Sequence, residues 1–171
     1  MKQLKTLLFA ALLFVGTTGV LMAQSKIAHI NTNDLIAAMP AMKTAQAELE
    51  KLSKTYETEI KSMYTEYQTK AQQYKAEVDS KTEEENIKRG QELQTFEQSI
   101  GQYQAQARED LQKKEADLMK PIFEKAKAAI DKVAKAQGFE YVLNSVEGSG
   151  VLVANGKDLL PDVKKELGLS N

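Results

Sequence analysis

Between Met42 and Val78, apolar or aromatic residues recur at helical spacing without a break. Met42, Ala45, Leu49, Leu52, Tyr56, Ile60, Met63, Tyr67, Ala71, Tyr74 and Val78 are separated by threes and fours that average 3.6 residues. This is one stripe on one face of an α-helix. No glycine or proline interrupts it. The spacing predicts a helix from about Ala41 to Asp79, roughly 60 Å long at ~1.5 Å per residue. A helix so long, with a single apolar face, must bury that face on a partner helix.

The partner follows in the chain. Ser80 to Asn86 is polar and reads as a turn region. Leu93, Phe96, Ile100, Tyr103, Ala107, Leu111, Leu118, Ile122, Ala129, Val133 and Ala136 then form a second stripe. It predicts a helix from about Thr82 to Gln137, with Gly138 where a left-handed C-cap belongs. Two stripes of similar length and a short connection imply an antiparallel αα-hairpin. Pro121 removes a backbone hydrogen bond and is expected to kink the second helix. Gly90 and Gly101 weaken it toward the turn, which predicts a hairpin softer at its distal half.

Short β-rich runs flank the hairpin. Lys26 to Ile30 reads as one strand, followed by a helical turn from Asp34 to Met39 with Asn33 as N-cap. Pro40 marks a break and the first turn of the long helix. After Gly138, Glu140 to Leu143 and Val151 to Ala154 read as a hairpin of two short strands around Gly148-Ser149-Gly150. Asp158 opens a last short helix, Asp162 to Leu167, closed by Gly168. Leu160 cannot cap it with its side chain, for which Pro161 at the first position partly compensates. Three short strands make a sheet too small to stand alone and with open edges. Closing the sheet with further copies of the chain is the simplest remedy, so an oligomer is expected.

The first residues have a different character. Lys2 and Lys5 precede an apolar run from Leu7 to Val15, then Gly16-Thr17-Thr18-Gly19 and Val20-Leu21-Met22, ending on the small Ala23. This order is that of a cleavable secretory signal, with cleavage expected after Ala23. The run is short for a spanning helix, which needs ~20 residues. The chain contains no cysteine, which excludes a lipid-anchored N-terminus, disulfides and thiolate metal sites. Losing Lys2 and Lys5 with the signal leaves 21 basic against 24 acidic residues. No strongly basic face is forced, which argues against nucleic acid as a partner.

No catalytic or cofactor pattern emerges. His29 is the only histidine and reads as an ordinary strand residue, because a metal site needs further ligands. Glu83-Glu84-Glu85 reads as a solvated helix start, where acids suit the dipole. Lys88 and Arg89 beside it leave contact with a membrane open without indicating it. No Gly-rich phosphate loop is present, and no Ser-His-Asp arrangement stands at motif spacing. Neither enzymatic activity nor a cofactor is expected.

From the KIAHIN run of Lys26–Asn31 to the AAIDKVAKAQGFEYVLNSVEGSGVLVANGKDLLPDVKKELG segment of Ala128–Gly168, the order of elements resembles the Skp/OmpH family of periplasmic chaperones. Gly138-Phe139, the Tyr141-Val142-Leu143 strand, and Asp158, Leu159 and Val163 carry the resemblance at the C-terminal end. It implies an α+β fold, with a long helical hairpin on a small β-sheet body that closes into a barrel by trimerisation. The expected layout is a signal peptide over 1–23, body segments over 24–40 and 138–171, and the hairpin over 41–137, turning near 80–86. The implied function is that of an ATP-independent periplasmic holdase. Its partners would be unfolded outer-membrane β-barrel proteins and, in a homotrimer, further copies of itself. Tyr56, Met63, Tyr64, Tyr67, Tyr74, Phe96 and Tyr103 are the candidates for client contact, since aromatics and Met are enriched at binding surfaces; helix–helix packing is the competing use of most of them. Ile27, Ile30, Tyr141, Leu143, Val151 and Val153 are the candidates for the oligomeric body. From Glu48 to Lys120 there are 12 basic and 16 acidic residues, so capture through a positive surface is not expected. A periplasmic coiled-coil structural or adaptor protein is the alternative reading.

Overall fold

Pro40 determines where the long helix begins. Its ring suits the first helical turn, and Met39 before it is extended, with φ −77° and ψ 126°. In a computed structural model of the chain, which describes residues 26–169, the elements follow in the order β1 (Ile27–Ile30), α1 (Thr32–Ala38), α2 (Pro40–Glu77), a 3₁₀ turn (Val78–Ser80), α3 (Glu83–Ala136), β2 (Tyr141–Asn144), β3 (Lys157–Asp158) and α4 (Leu160–Glu166). The expected signal segment, 1–23, lies outside the described residues. No described helix is long and apolar enough to cross a membrane.

The chain divides into two units, one over residues 33–128 and one combining the residues before 33 with those from 129 onward. The first contains α2 and most of α3, paired antiparallel. As one partner advances along the chain the other retreats: Glu48 meets Lys114, Tyr56 meets Asp110, Lys70 meets Glu92 and Glu77 meets Arg89. The α2 stripe is buried or half-buried at every position except Val78. Ala45, Ile100, Ala107 and Ile122 are the most deeply buried residues of the two stripes in this unit.

The turn is held by a capping box. The Glu85 N–H donates to Thr82 Oγ1 at 3.2 Å, and the Thr82 N–H donates to Glu85 Oε2 at 3.0 Å. The Asn86 amide donates to the Val78 carbonyl at 3.0 Å and ties the 3₁₀ turn to the start of α3. Gly90 and Gly101 lie in α3 with open space where a Cβ would stand. Gly90→Ala and Gly101→Ala are each expected to stabilise the hairpin by about 0.5–1 kcal/mol. A higher urea midpoint at unchanged m would show this.

In the other unit, β1 is the central strand of a three-stranded parallel sheet ordered β2-β1-β3. Ile27 to Ile30 lie opposite Tyr141 to Asn144, and Ala28 and His29 lie opposite Lys157 and Asp158. The expected strand pair does not form: Val151 to Ala154 lies outside the sheet. The reason is geometric. β2 pairs in parallel with β1 instead of turning back on 151–154, and the other edge of β1 is taken by β3, the Lys157–Asp158 pair that follows that segment. Among the described residues, the buried apolar ones of this unit are Ala28 and Ile30 from β1 together with Ala129, Val133, Ala134, Leu159 and Val163.

The helix ends follow local rules. At the end of α3, Gly138 takes φ +77°, the Phe139 N–H donates to the Ala134 carbonyl and the Gly138 N–H to that of Lys135. Gly168, at φ +68°, ends α4 in the same way. Two starts differ from expectation. α1 begins at Thr32, so Asn33 lies within its first turn rather than capping it. α4 begins at Leu160, earlier than expected, and the Asp158 carboxylate accepts the Leu160 N–H of its first turn at 2.9 Å.

Candidate client-binding surface

Most of the aromatic candidates lie along the seam between the two hairpin helices. Tyr56 and Tyr103 meet edge to face with ring centres 5.8 Å apart, and Tyr67 and Phe96 do so at 6.1 Å. The tyrosine hydroxyls reach carboxylates of the opposite helix. Tyr56 donates to Asp110 at 2.8 Å, Tyr74 to Glu92 at 2.5 Å, and Tyr103 to Glu59. The hydrogen bond to Glu59 holds the Tyr103 hydroxyl up to about 12, from an ordinary 10.0. Asp110 and Glu92 raise Tyr56 and Tyr74 in the same way. Tyr56, Tyr74 and Tyr103 therefore each contribute apolar packing and also one directed bond that specifies register.

Nearer the turn these bonds merge into one network. Lys70 donates to Glu92 at 2.5 Å, Arg89 donates to Glu77 at 2.6 Å, and the Arg89 guanidinium lies over the Tyr74 ring at 4.6 Å. Glu92 is lowered below its ordinary 4.5, chiefly by the Lys70 hydrogen bond. Glu77 is lowered by its bonds from Gln73 and then Arg89, and Glu85 by the backbone N–H of Thr82. A carboxylate lowered in the folded state stabilises it above the unfolded value, and that contribution is lost as pH falls through the folded value. The turn is therefore expected to loosen selectively below about pH 4.5. Amide exchange of Glu85 and Asn86, corrected for intrinsic rates, should accelerate there before that of Ile100.

Two of the sequence candidates stand apart from the ring pairs. Met63 is half-buried. Tyr64 is off the stripe, 44% exposed, and its hydroxyl accepts a hydrogen bond from the Gln104 amide at 3.3 Å. It borders an open groove of about 530 Å³ with Tyr56, Ile60 and Leu111. A second open groove, of about 630 Å³, is lined by Ile36, Met42, Met119 and Phe123. Phe123 is 51% exposed. The sequence reading missed it, although the same signal that marks Tyr64, a large aromatic one position off a stripe, marks Phe123 after Ile122.

The oligomer candidates separate by face. Alternation along β1 and β2 places Ile27, Tyr141 and Leu143 on one side of the sheet, all exposed. Ile30 points the other way and is buried in the chain's own core, so it is not available to a second copy. Val151 and Val153 belong to the segment outside the sheet, where Leu152, also missed, is 97% exposed and Val153 is 72% exposed. Among the described residues, no three His, Asp or Glu side chains converge as a metal site would require.

Similarity to known proteins agrees with this architecture. A crystal structure of a candidate outer membrane chaperone (OmpH-like) from Caulobacter crescentus superposes with a TM-score of 0.74 over 85% of each chain, at 15% identity. That likeness establishes the fold. No curated protein matches significantly. The family described as outer membrane protein (OmpH-like) matches residues 26–167, and the chain belongs to it.

Proposed function

We propose that this OmpH-like protein is an ATP-independent periplasmic holdase that keeps unfolded outer-membrane proteins from aggregating in transit. The observation that carries this reading is the pair of open apolar grooves on the hairpin, edged by Tyr64 and Phe123. Apolar surface open to water is what an unfolded chain recognises, and Met and aromatic side chains adapt to varied partners. The acidic balance of the hairpin favours apolar grip over charge attraction. The exposed face of Ile27, Tyr141 and Leu143 supports self-association, with a trimer as the assembly implied by the family resemblance.

The test is light-scattering mass of residues 24–171 with and without a urea-unfolded outer-membrane barrel. A trimer that gains the mass of one client and keeps it in solution is expected. Replacing both Tyr64 and Phe123 by Ser should leave the trimer intact and weaken protection. A protein that ignores the client while it precipitates, and instead captures one folded partner, would favour the structural or adaptor reading.

A further inference from the structure

We propose that Asn155-Gly156 is a self-modification site, at which the asparagine loses ammonia through a cyclic imide and becomes aspartate or isoaspartate. The Gly156 backbone nitrogen attacks the Asn155 side-chain carbonyl carbon. The new N–C bond forms as the C–Nδ2 bond breaks, and the amide leaves as ammonia with the proton lost from the Gly156 N–H. Water then opens the ring at either carbonyl. Each event consumes one water, releases one ammonia and involves no change of oxidation state.

Three observations select this asparagine. Asn155 and Gly156 are both exposed and precede β3 rather than lying within a strand or helix. Among the described residues, neither the Asn155 carboxamide nor the Gly156 N–H has a hydrogen-bond partner that would tie up the reacting group. Gly156 also presents no side chain to obstruct attack on its neighbour. The contrast with other asparagines is direct. Asn144 Oδ1 accepts from Thr32 Oγ1 at 3.1 Å, and Ser145 follows it. The Asn86 amide is bound to the Val78 carbonyl within a helix, and Ile87 follows it.

The position gives the reaction a structural consequence. Gly156 accepts a hydrogen bond at its carbonyl from His29 Nε2 at 3.2 Å, and β3 begins at the next residue. Isoaspartate inserts a methylene into the main chain immediately before this two-residue strand. It also adds a negative charge beside Lys157, which pairs with Asp162 at 2.8 Å. Pairing of Lys157 and Asp158 with Ala28 and His29 would shift, and with it the Leu159 N–H bond to the His29 carbonyl at 2.9 Å.

The experiment is to hold the purified chain in mildly alkaline buffer for days, then map peptide masses and label isoaspartate with an isoaspartyl carboxyl methyltransferase. A gain of one mass unit is expected first in the peptide containing Asn155, part of it labelled as isoaspartate. Asn155→Gln should abolish it. Gly156→Ala should slow it without disturbing the fold, since a Cβ there would meet the Ile27 carbonyl at an ordinary 3.7 Å. In aged protein the Leu159 amide should exchange faster than in fresh protein. An unchanged Asn155 peptide while Asn144 or Asn86 converts would overturn the assignment, as would undiminished conversion in Gly156→Ala. An unaltered Leu159 amide in fully converted protein would overturn the effect on β3.

Discussion

Leu159→Ala is expected to destabilise the sheet-bearing unit by about 3 kcal/mol. Leu159 is fully buried, as are Val163 one turn later in α4 and Ile30 on the central strand. It lies at the junction of β3 and α4, and its N–H donates to the His29 carbonyl at 2.9 Å. Alanine retains that N–H, so the change removes packing and leaves the backbone bond in place. The cost is the lost transfer of the side chain plus the cavity left behind, because a small core has few neighbours able to collapse into the gap. Against a typical total of about 5–15 kcal/mol this is a large fraction. Denaturation at fixed protein concentration measures it, since assembly makes stability concentration-dependent. Amide exchange along Ile27 to Ile30 should accelerate with it. A loss below about 1 kcal/mol would show that the residue is not a core anchor.

The same residue shows why the helices and the first two strands were legible in the sequence and the third strand, with the pairing, was not. A helix carries its own evidence, because its hydrogen bonds are local and its buried face repeats every 3.6 residues. Met42 to Val78 could therefore be read directly, and the Gly138 C-cap with it. Strand pairing depends on residues far apart, and local β-propensity is a poor guide to it. Val151 to Ala154 has the more strand-like sequence, yet Lys157–Asp158, a charged pair, occupies the edge of β1. The chain returns to β1 at that point because Leu159 buries its side chain there.

The candidate surface divides along the same line. Periodicity located Tyr56, Tyr67, Phe96 and Tyr103 on the stripes, where they pair with one another across the seam. It could not show that Asp110, Glu92 and Glu59 would receive the tyrosine hydroxyls, because that depends on the register between helices. Two local signals were present and went unread. Thr82 followed by Glu85 is a capping-box spacing, and Phe123 stands one position off its stripe as Tyr64 does.

Ile100→Ala is the second large effect, expected at about 3 kcal/mol and centred on the hairpin. Ile100 is 2% exposed, the most deeply buried large side chain of the two stripes in this unit. Its surroundings leave little in reserve. Gly101 follows it, and Thr95 and Ser99 turn their hydroxyls back onto the carbonyls of Gln91 and Thr95, a bond that slightly loosens a helix. Helix propensity cannot hold this stretch if the apolar contact goes, because helices in proteins are stabilised mainly by packing of one face. The loss should therefore appear as faster amide exchange from Gln91 to Leu111, while Ile27 to Ile30 keep their protection. Ile87→Ala, at a residue 57% exposed beside the turn, supplies the contrast and should change stability by less than about 0.5 kcal/mol. Adding Gly101→Ala to Ile100→Ala should recover at most about 1 kcal/mol, because it acts on backbone freedom and leaves the cavity open. Full recovery would mean that propensity, rather than the seam, holds the hairpin closed. Partial recovery would place its stability in the buried stripe, with the exposed aromatics at its sides free to meet other chains.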